Sequence, residues 1–456
     1  MFAALFFIAG VSAWVPARWA SHDPVTLDLL KDTPINCLLL EQKDWSAAFH
    51  KKAAERNIAV LGVVRPGGDG LQAVRTAKEQ ALTGVVLEGD LPDAGALRKA
   101  AQAAELAVVE LPVRVKIAFD SGAPVLGTAQ GVFPGIKPVD EKEGAHAAPS
   151  GGPWIDTNAG FLRFARAMHK GEFWMGVTPP EGKVLPLDRY FMAIGDAAMV
   201  GARWIVALDR DFNQRLLSGD EKAIKDWKRI GKHLAFYEQA RQYREVPAFG
   251  RMAVVQDADS GALLSGSVLD MISVKHTPIR PVPGSRLSLE NLKDAKMAVN
   301  VYPEGLTPEQ KETLKDFTRK GGTVLNGPPG WKMPAARADQ ITVDAKDVEK
   351  LDQIWKEMNT MINRQNLGVR LFNVSSMLSY FQAESGGKRA VLHLVNYSGY
   401  PIESVTAHVL GRFKKAWMET PEGTRKAVEP YDVDEGEATG VDIDVVPAFA
   451  IIHLEP

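Results

Sequence analysis

Eight apolar, strand-like runs alternate with amphipathic helical stretches across the first half of this chain, and that alternation constrains what it can build. The runs occupy residues 35–42, 58–65, 82–88, 106–111, 124–133, 153–157, 173–178 and 203–208. Helical periodicity fills most of the gaps, at 45–56, 71–81, 94–105, 159–169 and 187–200, and a long amphipathic stretch follows at 221–244. Neighbouring strands that run parallel need a crossover of a dozen or more residues, usually a helix. The spacing therefore predicts a (β/α)8 TIM barrel over residues 25–247. In such a barrel the chemistry sits where strands end and the following loops begin.

Phe2–Gly10 is apolar, and Val11-Ser12-Ala13 has the small residues that precede a cleavage site. Residues 1–20 are expected to be a signal peptide of a secreted or periplasmic protein. No later stretch is long and apolar enough for a stable membrane span. At 456 residues the chain needs more than one core. A formal net charge of −2 gives no basic surface for nucleic acid. Cys37 is the single cysteine, so there is no internal disulfide, and no Cys/His cluster has zinc spacing. No phosphate loop, dinucleotide fingerprint or serine elbow is present either, so no cofactor is expected.

A second unit begins near residue 248. Strands at 252–256, 279–281, 297–301 and 323–325 alternate with helices at 262–272 and 307–320, the second stopped by Gly321-Gly322. This is the pattern of a small doubly wound α/β domain spanning 248–335. Its stretch LTPEQKETLKDFTRKGGTVL, residues 306–325, resembles the glutamine-amidotransferase-like trimerisation domain that follows the barrel in some β-galactosidases. The resemblance implies a homo-oligomerising module. Amidotransferases proper carry a Cys in the turn after the central strand, whereas this turn reads Val301-Tyr302-Pro303-Glu304. Glutaminase chemistry is thereby excluded. A helical linker at 336–369 leads to a third unit, 370–456, whose short strands and turn residues predict an all-β sandwich. HLVNYSGYPI, residues 393–402, resembles the sandwiches that end many barrel glycosidases.

The strand ends of the barrel are rich in acids: Glu41, Glu88 and Asp90, Glu110, Asp156, and Asp209 beside Arg210. Cleaving a glycosidic bond takes two carboxylates, one to protonate the leaving oxygen and one to attack or to activate water. Glu110 and Asp156 are the preferred catalytic pair. Glu110 ends an apolar run, and Asp156 lies between Trp154 and Asn158, an aromatic face and an amide suited to a sugar. Glu41, Glu88, Asp90, Trp154, Asn158, Trp174, Asp209 and Arg210 are expected to line the substrate site. Strand-end acids also cap helices, and both roles stay open for Asp156.

The retaining β-galactosidases carry Asn-Glu on the fourth strand and a Glu at the end of the seventh. Here those places read Val109-Glu110 and Met175-Gly176-Val177-Thr178-Pro179, so their mechanism does not transfer. A fourth- and sixth-strand pair is similar in position to α-galactosidase-like barrels. The expectation is a glycoside hydrolase acting on an oligo- or polysaccharide. The alternative is a non-catalytic carbohydrate-binding or scaffold protein on the same architecture.

Overall fold

Three successive βα units at the start of the chain end their helices in the same way. The helices Ala47–Ala54, Gly70–Glu79 and Ala94–Ala103 each stop at a residue in the left-handed region: Asn57 (φ 58°), Ala81 (φ 57°) and Glu105 (φ 60°). The next amide then reaches back five residues, from Ile58 to Ala53, Leu82 to Ala77 and Leu106 to Ala101. This six-to-one closure satisfies helix-end carbonyls and turns the chain into the next strand. The starts are fixed as well, because Ser46 accepts from the Phe49 amide and Asp69 from the Gln72 amide.

The structure is a computed structural model that describes residues 10–137, 154–263, 279–341, 343–362, 367–374, 376–384, 389–423, 425–433 and 437–456. The chain forms two units. The first comprises residues up to 133, 169–198 and 202–239. Its strands β1 (Pro16–Arg18), β2 (Cys37–Leu40), β3 (Ala59–Val64), β4 (Gly84–Glu88) and β5 (Ala107–Leu111) form a parallel sheet in that order. β6 (Val125–Thr128) begins a second parallel sheet. Next along the chain come β7 (Gly135–Lys137) and β8 (Trp154–Asp156), an antiparallel pair that belongs to the other unit. β9 (Glu172–Met175) and β10 (Arg203–Trp204) complete the second parallel sheet in the order β10-β9-β6. A parallel bridge between Ala17 and Val206 joins the two sheets, with the Arg18 amide donating to the Val206 carbonyl at 2.7 Å.

Two expectations are corrected here. The first parallel strand is Pro16–Arg18, inside the segment read as a leader; Trp14 and Val15 are buried with it. Three residues leave no periodicity to detect, and the preceding apolar run masks them. Cleavage after Ala13 would leave β1 intact. The run at 153–157 supplies no parallel strand, because β8 pairs antiparallel with β7. The connection at 139–152 lies outside the described residues. The helix Ala159–Met168 belongs to the second unit, where Phe161, Leu162 and Phe164 are all buried.

The second unit comprises 134–168, 199–201 and 240–456. Strands β11 (Met252–Gln256), β12 (Arg280–Pro283), β13 (Met297–Asn300) and β14 (Thr323–Asn326) make a parallel sheet in the order β12-β11-β13-β14. The helix Pro308–Arg319 starts in a reciprocal box between Thr307 and Gln310 and stops before Gly321 at φ 91°. The predicted helix at 262–272 is observed as Ala258–Leu263, and its remainder lies outside the described residues. Nine antiparallel strands follow among the described residues. They are β15 (Val369–Phe372), β16 (Met377–Ala383), β17 (Ala390–Asn396), β18 (Ile402–Leu410), β19 (Lys415–Glu419), β20 (Arg425–Val428), β21 (Pro430–Val433), β22 (Ala438–Val446) and β23 (Phe449–Glu455). The sheets β15-β18-β22-β21 and β16-β17-β23-β19-β20 share one apolar cluster that includes Leu392, Val405, Ile443 and Ile452.

Candidate functional site

Side chains alternate across a strand, so one apolar cluster reveals which parity faces inward. The inner cluster of the first unit contains Cys37 and Leu39 of β2, Leu61 and Val63 of β3, Val86 of β4, Val109 and Leu111 of β5, and Trp174 of β9. Continuing the same parity to the carboxyl ends of the strands reaches Glu41 after β2, Arg65 after β3 and Glu88 at the end of β4. Arg18 ends β1. These four side chains meet.

Glu88 is the hub. It is buried, and its Oε2 accepts from Arg18 Nη2 at 2.7 Å. Its Oε1 accepts from Arg65 Nε at 3.1 Å, with Arg65 Nη2 at 3.0 Å. Arg65 also pairs through Nη1 with Glu41, which is far more exposed than Glu88. Arg18 Nη2 further donates to the Gly176 carbonyl at 2.9 Å, tying the cluster to the end of β9. Burial disfavours the charge on Arg65, but the hydrogen bonds and charges of Glu41 and Glu88 outweigh it and hold that guanidinium above its ordinary pKa. Arg18 is only 12% exposed, and its Nε and Nη1 lack hydrogen-bond partners. The site thus presents two carboxylates and a guanidinium with spare donors, an arrangement that can hold hydroxyls or a carboxylate.

The residues read from the sequence scatter more widely than expected. Glu110 has the opposite parity to Val109 and Leu111, so it leaves the inner face and pairs with Arg98 of the helix Ala94–Ala103, with Nη2 to Oε2 at 3.3 Å. In the register of β4 and β5 Glu110 lies opposite Leu87 and Leu111 opposite Glu88, so Glu110 faces away from the side that carries Glu88. Asp156 lies on β8 in the second unit, so the expected pair is divided between the two units. The side chains of Trp154 and Asp156 lie outside the described residues. Asn158 is fully buried in the second unit. Asp90 pairs with Lys116. Trp174 is fully buried in the inner cluster, where it packs rather than offering an open face to a ring.

Asp209 is structural. Its Oδ1 caps the helix Arg210–Leu217 through the Phe212 amide at 2.9 Å, and its Oδ2 accepts from Tyr190 Oη at 2.6 Å and the Leu185 amide at 3.1 Å. Burial and the hydrogen bond to Asp209 push the Tyr190 hydroxyl far above its ordinary pKa. Arg210 is exposed at the first turn of that helix. Arg18 and Arg65 are the site residues that the sequence reading left out. A signal existed for Arg65: it falls midway between Glu41 and Glu88 at the βα repeat, giving acid, base, acid on three consecutive strand ends. Arg18 gave none, being placed in the leader. Among the described residues no group of His, Cys, Asp or Glu is arranged to hold a metal ion.

The described geometry has relatives among solved structures. The α-L-fucosidase isoenzyme 2 from Paenibacillus thiaminolyticus superposes with a TM-score of 0.59 at 12% identity, over 97% of this chain and 99% of that one. The two share a fold. A rhamnosidase from Novosphingobium sp. PP1Y gives 0.49 at 12% identity, covering 79% of this chain and 38% of that one. Trehalose-6-phosphate hydrolase from Bacillus licheniformis gives 0.37 at 10% identity, covering 98% and 99%. No protein-family model matches the chain, and no curated protein matches it. At this identity the likeness establishes architecture, and the site must supply the chemistry.

Proposed function

We propose that this chain is a secreted or periplasmic glycoside hydrolase whose eight parallel strands close into a barrel, with its sugar site at Arg18, Glu41, Arg65 and Glu88. One observation carries the reading: Glu41 and Glu88 face inward at strand ends and grip the same guanidinium. Two carboxylates bound to one guanidinium lie within about 8 Å, the range glycosidase pairs occupy. Glu88, buried between two arginines, suits the carboxylate that attacks or steadies positive charge at the anomeric carbon. Glu41, open to solvent, suits the group that exchanges a proton with the leaving oxygen or water. Arg18 would hold a substrate hydroxyl through its spare donors. The bridge between Ala17 and Val206 supports closure, and the shared fold of the fucosidase supports a carbohydrate substrate.

A second reading, sugar binding without turnover, is favoured by the arginine pairing of both carboxylates. One experiment separates the two. The parent protein and the Glu41→Gln, Glu88→Gln, Glu110→Gln and Asp156→Asn variants are assayed on a panel of aryl glycosides that includes an aryl α-L-fucoside. The hydrolase reading expects turnover in the parent and in Glu110→Gln, and loss of about a hundredfold or more in Glu41→Gln and Glu88→Gln. Full activity in both glutamine variants at 41 and 88, with loss in Asp156→Asn alone, would move the chemistry elsewhere. Binding of sugars without turnover by the parent would establish the second reading.

A further inference from the structure

The parallel sheet of the second unit has an unusual defect at its carboxyl edge. Strands β11, β12 and β13 end at Gln256, Pro283 and Asn300, and a cavity of about 160 Å³ opens beside them. Gln256 is 1% exposed, yet neither its Nε2 nor its Oε1 has a hydrogen-bond partner. Asn300 is equally buried; its Nδ2 donates to Asn326 Oδ1 at 2.9 Å, while its own Oδ1 has no partner. Each buried orphan of this kind costs the fold stability, because the group has given up its bonds to water and gained none in return. Such groups persist where something else supplies the missing partner.

The topology marks the same place. In the order β12-β11-β13-β14 the chain leaves β11 to one side and returns on the other, so the crevice outside β11 and β13 is the switch point of the sheet. Ligands of open α/β sheets bind in that crevice. The wall chemistry then selects the ligand. Among the described lining residues Asp257 is the one that carries a charge and none is Lys or Arg, a wall that disfavours anions. Phe164, Met168, Tyr302 and Leu306 give an apolar and aromatic flank, while Gln256 and Asn300 offer amide donors and acceptors. Gly305 lies close against the Tyr302 ring, where any Cβ would clash, which limits how that ring can turn. The volume equals about five waters, enough for a ligand of one small ring.

We propose that this cavity is a binding site for a neutral polyhydroxylated molecule of monosaccharide size, separate from the strand-end site of the first unit and independent of whether that site is a hydrolase. The amides of Gln256 and Asn300 would gain the hydrogen bonds they lack, and Asp257 would accept from a hydroxyl. The test titrates D-glucose, D-galactose and inorganic phosphate into the intact chain by calorimetry, alongside the Gln256→Leu, Tyr302→Ala and Glu88→Gln variants. At least one sugar should bind in the millimolar range, be retained by Glu88→Gln and weaken about tenfold or more in Gln256→Leu and Tyr302→Ala. Phosphate should not bind. The melting temperature of Gln256→Leu should equal or exceed the parent's, since an orphaned amide is removed. No heat from either sugar at about 100 mM, or binding left unchanged by Gln256→Leu, overturns the proposal. A lowered melting temperature in Gln256→Leu overturns it too, because the amide would then have a partner within the fold.

Discussion

Replacing Glu88 by Gln removes the buried negative charge that Arg18 and Arg65 share and leaves them only the more exposed Glu41. Glu88 Oε2 lies 2.7 Å from Arg18 Nη2, and Oε1 lies 3.0 Å from Arg65 Nη2. A glutamine amide can offer an oxygen to only one of them, and its NH2 then faces the other guanidinium, donor against donor. Breaking a buried ion pair costs about 3–5 kcal/mol because one charge is left uncompensated. Arg18 is buried and keeps only the longer 4.0 Å contact to Glu41, whereas Arg65 is 41% exposed and retains its own pairing with Glu41. The expected loss is therefore about 2–4 kcal/mol. Glu110→Gln is the internal control: its partner Arg98 is equally open to solvent, and that pair should contribute no more than about 1 kcal/mol. Urea unfolding followed by tryptophan emission senses the first unit through six of the ten tryptophans, Trp14, Trp19, Trp45, Trp174, Trp204 and Trp227, the other four lying in the second unit. The midpoint should fall clearly for Glu88→Gln with little change in slope, and barely move for Glu110→Gln. Equal shifts in the two variants would refute the hub geometry.

Three further outcomes are expected. Arg203 pairs with Glu172 at 3.0 Å and Glu238 at 2.7 Å, and the first of these is deeply buried, so Arg203→Met should destabilise by about 3–5 kcal/mol in the same urea assay; a loss under 1 kcal/mol would contradict that burial. Ala81 and Glu105 carry left-handed backbones that cost a residue with a Cβ, so Ala81→Gly and Glu105→Gly should each stabilise by about 0.5–1 kcal/mol in thermal melts, against a loss at an ordinary helix position such as Ala101. Burial, aided by the charge of His453, lowers the His393 pKa to about 3. The unfolded chain takes up that proton near pH 6.5 while the folded chain does not, so this contribution is intact above about pH 6.5 and drains away as the pH falls toward 3. It should amount to about 2–3 kcal/mol between pH 7 and pH 4.5. His393→Gln should flatten the decline in melting temperature over that window, and parallel curves for the two proteins would count against the assignment.

Much of the local architecture is legible in single residues. Ser46, Asp69 and Thr307 announce helix starts because a short side-chain oxygen satisfies an amide that the helix cannot. Gly321 announces a stop because the left-handed turn after the helix favours a residue without a Cβ. The candidate site was legible only in part. Glu41 and Glu88 stand out as acids at the ends of apolar runs, but so does Glu110, and the run before it offers no way to tell the inner face from the outer. Parallel strands buried on both sides are apolar throughout, so the alternation that would reveal facing is missing. The meeting of Arg18 with Glu88 was beyond reach for a different reason. It joins residues 70 positions apart through a strand of three residues.

The order of strands and helices, their caps and stops, and the shift from helical to two-residue periodicity near residue 370 are set by the amino-acid sequence, because each depends on interactions within a few residues. Tertiary structure decided which face of each strand looks inward, that Glu110 turns to Arg98 while Glu88 gathers two arginines, and that β8 pairs antiparallel with β7. Those outcomes depend on register and parity between distant segments, which packing alone fixes.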